Sequence, residues 1–139
     1  MVVANGENPN LYQVKDLSFN YKLGLHQVQA LKNVSVNMEV GEILGLAGPS
    51  GSGKSTLLNC LGLLEKVNSD AIAFKDQNIS KLNDHEMTNI RLRELGYIFQ
   101  NFLLFPNLNT FENVEYFLAR QGLSRAEREE IAEEALKDV

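Results

Sequence analysis

Nine consecutive residues between positions 48 and 56 carry the residue types needed to hold a chain of phosphates. Their sequence fits the pattern G-x-x-x-x-G-K-[ST] at every fixed position. The residues are Gly48, Pro49, Ser50, Gly51, Ser52, Gly53, Lys54, Ser55 and Thr56. Glycines allow such a loop to aim several backbone N–H groups at one anion, and the N-terminus of a following helix adds its positive dipole end. The pattern therefore predicts a nucleotide-binding loop.

Two side chains of this loop are predicted to act on the nucleotide directly. Lys54 is placed to reach the β- and γ-phosphates, where each charge-assisted hydrogen bond contributes about 1.5–3 kcal/mol. The hydroxyl of Ser55 is placed to ligate Mg²⁺. The alternative interpretation is a plain glycine-rich turn with an exposed lysine, and the segments on either side of the loop argue against it.

The flanking segments are those that a phosphate-binding loop requires. Residues 43–47 are an apolar run typical of a strand buried on both faces, and residues 55–61 predict a helix that ends at Gly62. Further upstream, apolar residues alternate with polar ones over 17–21 and again over 34–38. This alternation predicts two half-buried strands, paired antiparallel around a turn at Gly24.

Downstream of the loop helix, short apolar segments alternate with capped helices. A strand is predicted over 72–74, a turn over 76–78, and an apolar strand over 97–99 with Gln100 at its end, where ligands bind in open α/β sheets. The predicted helix caps are Asn83 with Glu86, Thr110, and Ser124 with Glu127, with Gly96 ending the first of these helices.

The last of these helices shows an apolar stripe beside an acidic run. The stripe residues are Ile131, Ala135, Leu136 and Val139. The run from Glu127 to Glu134 is interpreted as the solvated face of the same helix.

Composition limits the classes of partner. The 139 residues suit one small domain or part of a larger protein, and a net charge of −5 argues against a nucleic acid partner. The single cysteine, Cys60, is predicted to be a buried apolar residue. Neither a secretory signal nor a membrane-spanning run is evident, which favours a cytoplasmic location, and residues 1–10 are predicted to be a flexible N-terminus.

With these residues placed, residues 11–139 resemble the N-terminal half of an ABC-type ATP-binding subunit. Four features carry the resemblance: Tyr21, the phosphate loop, the sequence YIFQ ending at Gln100, and LNTFENV over 108–114. The resemblance implies that the ring of Tyr21 stacks on adenine, and stacking needs only a ring, so phenylalanine should serve equally well. It also implies that Gln100 contacts Mg²⁺ and the attacking water, which makes Lys54 and Gln100 the candidate catalytic residues.

The implied fold class is α/β. It comprises a P-loop nucleoside triphosphatase core, an N-terminal antiparallel β subdomain and the start of a helical subdomain. The family's signature motif, its Walker B aspartate with the catalytic glutamate, and its switch histidine are expected beyond Val139, so the chain is interpreted as truncated. The strands that flank residues 43–47 are expected from the same later part.

Within the family, three stretches are most similar to the lipoprotein-releasing and macrolide-exporting type. They are HQVQAL over 26–31, GPSGSGKSTLLN over 48–59, and FQNF over 99–102. The chain departs from the family at residues 69–71, where Ser-Asp-Ala replaces the usual Ser-Gly before a strand, so that this turn must form without glycine.

The function implied by the resemblance is that of an ATPase subunit that couples ATP binding and hydrolysis to transport. Its expected partners are a transmembrane permease, contacted through Phe102–Pro106, and a second ATP-binding subunit, with the protein held peripherally at the inner membrane. Core packing of the loop is the alternative interpretation of the apolar residues in Phe102–Pro106. The 139 residues alone are expected to be inactive. A non-catalytic nucleotide-binding fragment is one alternative, and a nucleotide kinase or GTPase is another, although no Asn-Lys-x-Asp motif occurs and Tyr21 would then be unexplained.

Overall fold

The computed structural model describes residues 10–138 of the chain, which divides into two units, Met1–Met87 and Thr88–Val139. Most of the predicted flexible N-terminus, residues 1–9, lies outside the described residues. Asn10, which the sequence assigned to that segment, is already the first residue of a strand. No helix between residues 10 and 138 combines the length and the apolar character needed to cross a membrane.

A long hairpin is the frame of the first unit. Strands β1 (Asn10–Leu23) and β2 (His26–Glu39) pair antiparallel, as the alternating sequence predicted, around a turn in which Gly24 has φ of +60°. The short strands β3 (Ile72–Phe74) and β4 (Gln77–Asn78) extend the sheet in the order β2-β1-β3-β4. All of these pairings are antiparallel.

The β1–β2 register shifts at four places, and two of these shifts are bulges with a positive φ that the alternation of the sequence did not predict. Asp16 has φ of +50° and Asn33 has φ of +48°, each next to a shift in the β1–β2 register. Side chains satisfy the displaced backbone, because Asp16 N donates to Ser35 Oγ at 2.9 Å and Asn33 N donates to Ser18 Oγ at 3.0 Å. The bulges flank Leu17, whose side chain is fully buried.

Helix α1 (Lys54–Leu61) packs on this sheet through buried contacts. The hydroxyl of Tyr12, on β1, donates to the carbonyl of Leu61 at 2.8 Å, and the rings of Tyr12 and Phe74 lie 4.9 Å apart. Cys60 and Ile72 are fully buried, which confirms the prediction that Cys60 is a core residue. The C-terminus of α1 is therefore fixed to the sheet that carries the hairpin.

The segment after β3 differs in detail from the prediction. The turn lies at Lys75 and Asp76, both with positive φ, and the remaining two residues of the predicted turn form β4. A 3₁₀ turn over Ile79–Lys81 leads to helix α2 (Asp84–Arg93). Helix α2 begins with the predicted capping box, because Asn83 and Glu86 exchange side chain–backbone hydrogen bonds of 2.8 and 2.9 Å, but it ends before Gly96.

The second unit contains two further helices, α3 (Thr110–Arg120) and α4 (Arg125–Lys137). The cap of α3 is Asn109, which forms a capping box with Glu112, and not Thr110 as predicted. The predicted capping box of Ser124 and Glu127 is present at the start of α4. Arg128 Nε lies 3.3 Å from Glu115 Oε1, so an ion pair links the two helices.

The apolar stripe predicted on α4 is not its buried face. Ala132 is fully buried, whereas Ile131 is 41% exposed. Val139, the last residue of the predicted stripe, lies outside the described residues. The contact of α4 with α3 therefore includes the Arg128–Glu115 ion pair, and the buried residue of α4 is the small Ala132, not the larger Ile131.

Two predicted strands have no pairing partner among residues 10–138. Residues 43–47 and 97–99 belong to no ladder there, and Ile43 and Ile98 are almost completely exposed. An apolar strand of this kind requires neighbouring strands and covering helices, and the described part of the chain supplies neither. The strand assignments for these two segments are therefore wrong for this structure.

Candidate nucleotide-binding site

The phosphate loop joins residues 43–47 to helix α1 and depends on glycine at two of its turns. Gly51 has φ of +78° and Gly53 has φ of +89°, a region that favours glycine. Gly53 is also the N-cap of α1, where the hydrogen bond from Leu57 N to Gly53 O, 2.8 Å, closes the first helical turn. The first N–H groups of α1 have no partner within the helix and are available to an anion.

The ammonium group of Lys54 lies back over the loop. Its Nζ donates to the carbonyl oxygens of Gly48 at 2.8 Å and Pro49 at 2.7 Å, and it lies 3.3 Å from Ser52 Oγ. No acidic residue occupies the first turn of α1, so none there offsets the positive charge. A cation and a helix N-terminus thus combine at one place, which is an arrangement suited to binding an anion.

A cleft of about 310 Å³ lies between this loop and strand β2. Val28, Gln29 and Ala30 line one side, and residues 50–56 line the other. The sequence analysis did not assign the three β2 residues to the site. In the sequence these residues appear only within the HQVQAL resemblance, and their place beside the loop follows from the way the hairpin packs.

The two residues that follow Lys54, Ser55 and Thr56, differ in exposure. Ser55 is exposed in the first turn of α1, so its hydroxyl is accessible to a ligand. Thr56 lines the cleft but is 9% exposed and belongs mainly to the core. The Ser55 hydroxyl oxygen is a ligand of the type that Mg²⁺ prefers.

Tyr21 lies on the hairpin opposite a residue of the cleft. It pairs with Val28 in the β1–β2 register, and directly opposed residues of an antiparallel pair share one face of the sheet. Its half-buried ring makes an edge-on contact with Phe19, with centroids 5.1 Å apart. The Tyr21 hydroxyl donates to Glu65 Oε1 at 3.0 Å, a contact that the sequence analysis did not predict.

Gln100 belongs to the second unit, whereas the phosphate loop and Tyr21 belong to the first. It is exposed and lies in a bend after residues 97–99. The rings of Tyr97 and Phe99 stack there with centroids 5.8 Å apart, and burial raises the pKa of Tyr97 against the opposing charge of Arg91. The catalytic and metal-binding roles of Gln100 remain predictions from the sequence.

The apolar segment Phe102–Pro106 is exposed, and hydrogen bonds and a ring contact fix its conformation at Phe105. Exposed fractions are 88% for Phe102 and 37% for Phe105, and Phe105 packs on Tyr116 with ring centroids 4.6 Å apart. The side chain of Asn113 fixes the backbone beneath it. Its amide accepts from Phe105 N at 2.8 Å and donates to three carbonyl oxygens at 2.9–3.2 Å, those of Phe105, Leu108 and Asn109.

Residues 31–139 match the family of ABC transporter domains. The chain is 40% identical over 130 residues to the ABC transporter ATP-binding protein MJ0796 of Methanocaldococcus jannaschii, covering 91% of this chain and 55% of that protein. A solved structure described as the dimeric post-hydrolysis state of the ATP-binding cassette MJ0796, bound to ADP and Pi, matches with a TM-score of 0.80. That match has 40% identity and covers 91% of this chain and 56% of the other.

Two further relatives carry more specific names. The lipoprotein-releasing system ATP-binding protein LolD of Zymomonas mobilis is 41% identical over 123 residues, covering 88% of this chain and 53% of that protein. The macrolide export ATP-binding/permease protein MacB of Shigella flexneri is 39% identical over 127 residues, covering 91% of this chain and 20% of that protein. The chain spans about half the length of MJ0796 and LolD.

Proposed function

Since this chain belongs to the ABC transporter family, we propose that it is the N-terminal part of an ATP-binding subunit that couples ATP binding and hydrolysis to transport. The observation that carries the proposal is the position of the Lys54 ammonium group, which donates to two carbonyl oxygens of the phosphate loop at 2.7–2.8 Å beside the N-terminus of α1. A triphosphate gives this cation and the helix N–H groups an anionic partner.

The residues around the loop fit ATP with Mg²⁺. The loop glycines and the first turn of α1 hold the phosphates, and Lys54 contacts the β- and γ-phosphates. Ser55, accessible in that first turn, is the candidate Mg²⁺ ligand on the loop. When bound, Mg²⁺ neutralises charge on the phosphate oxygens, and Gln100 is proposed to serve as a further ligand and to orient the attacking water.

Tyr21 is proposed to stack on the adenine ring. Its cross-strand partner Val28 lines the cleft, which supports a position for the Tyr21 ring near a base bound there. An aromatic ring binds the base through its face, which contributes about 1 kcal/mol without reading the identity of the base.

The exposed segment Phe102–Pro106 is proposed to receive a short helix from a transmembrane permease subunit, which would hold the protein at the inner membrane. Two observations support a preformed surface: Phe102 is 88% exposed, and Asn113 fixes the backbone of Phe105 by two hydrogen bonds, to its N–H and to its carbonyl oxygen. Exposed apolar side chains on an ordered loop are characteristic of a docking site. A second ATP-binding subunit is proposed as a further partner, because MJ0796 is described as a dimer.

The experiment that tests the function is nucleotide binding by titration calorimetry with Mg²⁺ present. We expect the wild-type chain to bind ATP, and Lys54→Ala to bind it about 10- to 100-fold more weakly because one charge-assisted phosphate contact is lost. Lys137→Ala is the matched control, since Lys137 is an exposed lysine on α4 that only reaches Glu133 at 4.0 Å. Equal ATP affinity in the wild type and Lys54→Ala would contradict the proposed function.

A further inference from the structure

Glu65 restrains the ring of Tyr21 through a hydrogen bond to the Tyr21 hydroxyl. The Tyr21 hydroxyl donates to Glu65 Oε1 at 3.0 Å in a partly buried setting, and the ring edge contacts Phe19 at a centroid distance of 5.1 Å. A phenol bonded to a carboxylate makes a charge-assisted hydrogen bond, which is stronger than one between neutral groups. The ring is therefore restrained at its body and at its hydroxyl.

The backbone of Glu65 is hydrogen-bonded to helix α1. Helix α1 ends at Leu61 with Gly62 as its C-cap, Leu63 follows with φ of +55°, and Glu65 N then donates to Asn59 O at 3.2 Å. Glu65 is thus attached to the last turn of the helix whose first residue is Lys54. Through Glu65, the position of the Tyr21 ring is tied to the helix that begins at the phosphate loop.

A second tyrosine of β1 provides a comparison. Tyr12 donates its hydroxyl to Leu61 O at 2.8 Å, and this side chain is only 6% exposed. Both tyrosines connect the hairpin to the C-terminal end of α1, but Tyr12 lies in the core, whereas Tyr21 is opposite the cleft residue Val28. A purely structural link would resemble that of Tyr12.

We propose that Glu65 is a positioning residue for nucleotide binding, which holds the Tyr21 ring where the base stacks, through the Tyr21–Glu65 hydrogen bond. The inference rests on the proposed function, in which Tyr21 contacts the base. It predicts that base recognition and phosphate recognition separate on mutation. Loss of the hydrogen bond weakens binding of a ligand with a base and leaves binding of a bare triphosphate unchanged.

The test measures the affinity of the 139-residue chain for Mg-ATP and for magnesium tripolyphosphate by calorimetry. We expect Glu65→Ala and Tyr21→Phe each to weaken ATP binding about two- to threefold, which is part of the contribution of about 1 kcal/mol that the whole ring makes by stacking. The double variant should lose no more than either single variant, because both remove the same interaction. Glu65→Gln, which keeps an acceptor oxygen, should retain most of the ATP affinity.

Tyr12→Phe is the structural control. It removes the buried hydrogen bond to Leu61, so it should lower the melting temperature while leaving the affinity for ATP unchanged. Unchanged ATP affinity in Glu65→Ala would overturn the inference, as would an equal loss for ATP and tripolyphosphate. If the wild-type chain bound neither ligand, the proposed function would fail, and the inference with it.

Discussion

A Cβ atom placed on Gly53 would lie 2.6 Å from the carbonyl oxygen of Ala30 and 2.9 Å from Cδ2 of Leu31. The phosphate loop and strand β2 therefore approach each other so closely that no side chain fits between them. Because the Ala30 oxygen belongs to the backbone of a paired strand, it cannot move aside as a flexible side chain would.

This contact predicts different costs for two glycine substitutions in the same loop. Gly51→Ala meets only backbone strain, since φ is +78° and nothing lies within 4 Å, and should cost about 1–2 kcal/mol. Gly53→Ala adds the clash with Ala30 and should cost roughly 1–3 kcal/mol more. Urea unfolding of both variants measures the difference. Equal losses would show that the clash is relieved by a small shift of the loop.

Tyr21→Ala should weaken binding of ATP and GTP by about the same factor, roughly fivefold, because an aromatic face stacks on either base. Affinity for magnesium tripolyphosphate, which has no base, serves as the internal control and should stay unchanged. Calorimetric titration of the three ligands provides the measurement. Unaltered ATP binding by the alanine variant would mean that Tyr21 is only a strand residue packed on Phe19.

Phe102→Ala should weaken assembly with the permease while leaving the fold intact. Phe102 is 88% exposed, so truncating it removes little packing within the chain, whereas Phe105 also contacts Tyr116 and is the less informative choice. Co-purification of the complete subunit with its permease from membranes tests this. Ile131→Ala, which shortens another exposed apolar residue on α4, is the control. Full assembly of the Phe102 variant would contradict docking at this segment.

Stability should decrease at alkaline pH because of Cys60. Burial, helped by the negative charge of Glu65, raises the pKa of the Cys60 thiol from near 9 to about 11. The folded state therefore favours the neutral thiol, and this contribution is complete below the unfolded pKa and is lost as pH rises from about 9 to about 11, by roughly 1.4 kcal/mol for each pKa unit of difference.

Cys60→Ala removes the titrating group and should flatten this part of the pH dependence, even though the smaller side chain lowers stability at every pH. Urea unfolding of both proteins between pH 8 and about 11 measures the two slopes. Parallel curves for the wild type and Cys60→Ala would exclude the thiol as the cause.

The 139 residues should bind ATP without hydrolysing it. Among the described residues, those that line the cleft include no aspartate or glutamate, and phosphoryl transfer to water requires a group that orients or deprotonates the nucleophile. Phosphate release should match that of Lys54→Ala, which sets the background. Turnover clearly above this background would refute the prediction.

Local signals were sufficient to predict the features that depend on neighbouring residues. The phosphate loop, the start of α1 and the capping boxes at Asn83 and Ser124 each involve groups within a few positions of one another. The hairpin was predictable for the same reason, since its strands are adjacent and alternate in polarity. For α3, a polar N-cap was predicted correctly but at the wrong residue. Asn109, which precedes Thr110, caps the helix.

Features that depend on distant residues were not predictable. Residues 43–47 are as apolar as a buried strand, but a strand is defined by its partners, and residues 10–138 provide none for it. The bulge at Asp16 depends on Ser35 across the hairpin, and the bond of Tyr21 depends on Glu65, far away in the sequence. From the sequence alone, phenylalanine at position 21 is expected to stack as well as tyrosine, because the sequence does not reveal Glu65 as the acceptor of the tyrosine hydroxyl.

The pairing of β1 with two different strands has a consequence for the order of folding. The β1–β2 hairpin closes a two-residue turn, and hairpins of this kind form within about 1–10 microseconds. Val14 of the same strand pairs with Ile72, which requires closure of a loop of about sixty residues and carries a larger entropic cost. The phosphate loop lies inside that larger loop. We therefore expect the β2 side of the nucleotide cleft to exist early in folding, and the helix side to join it only when β3 docks.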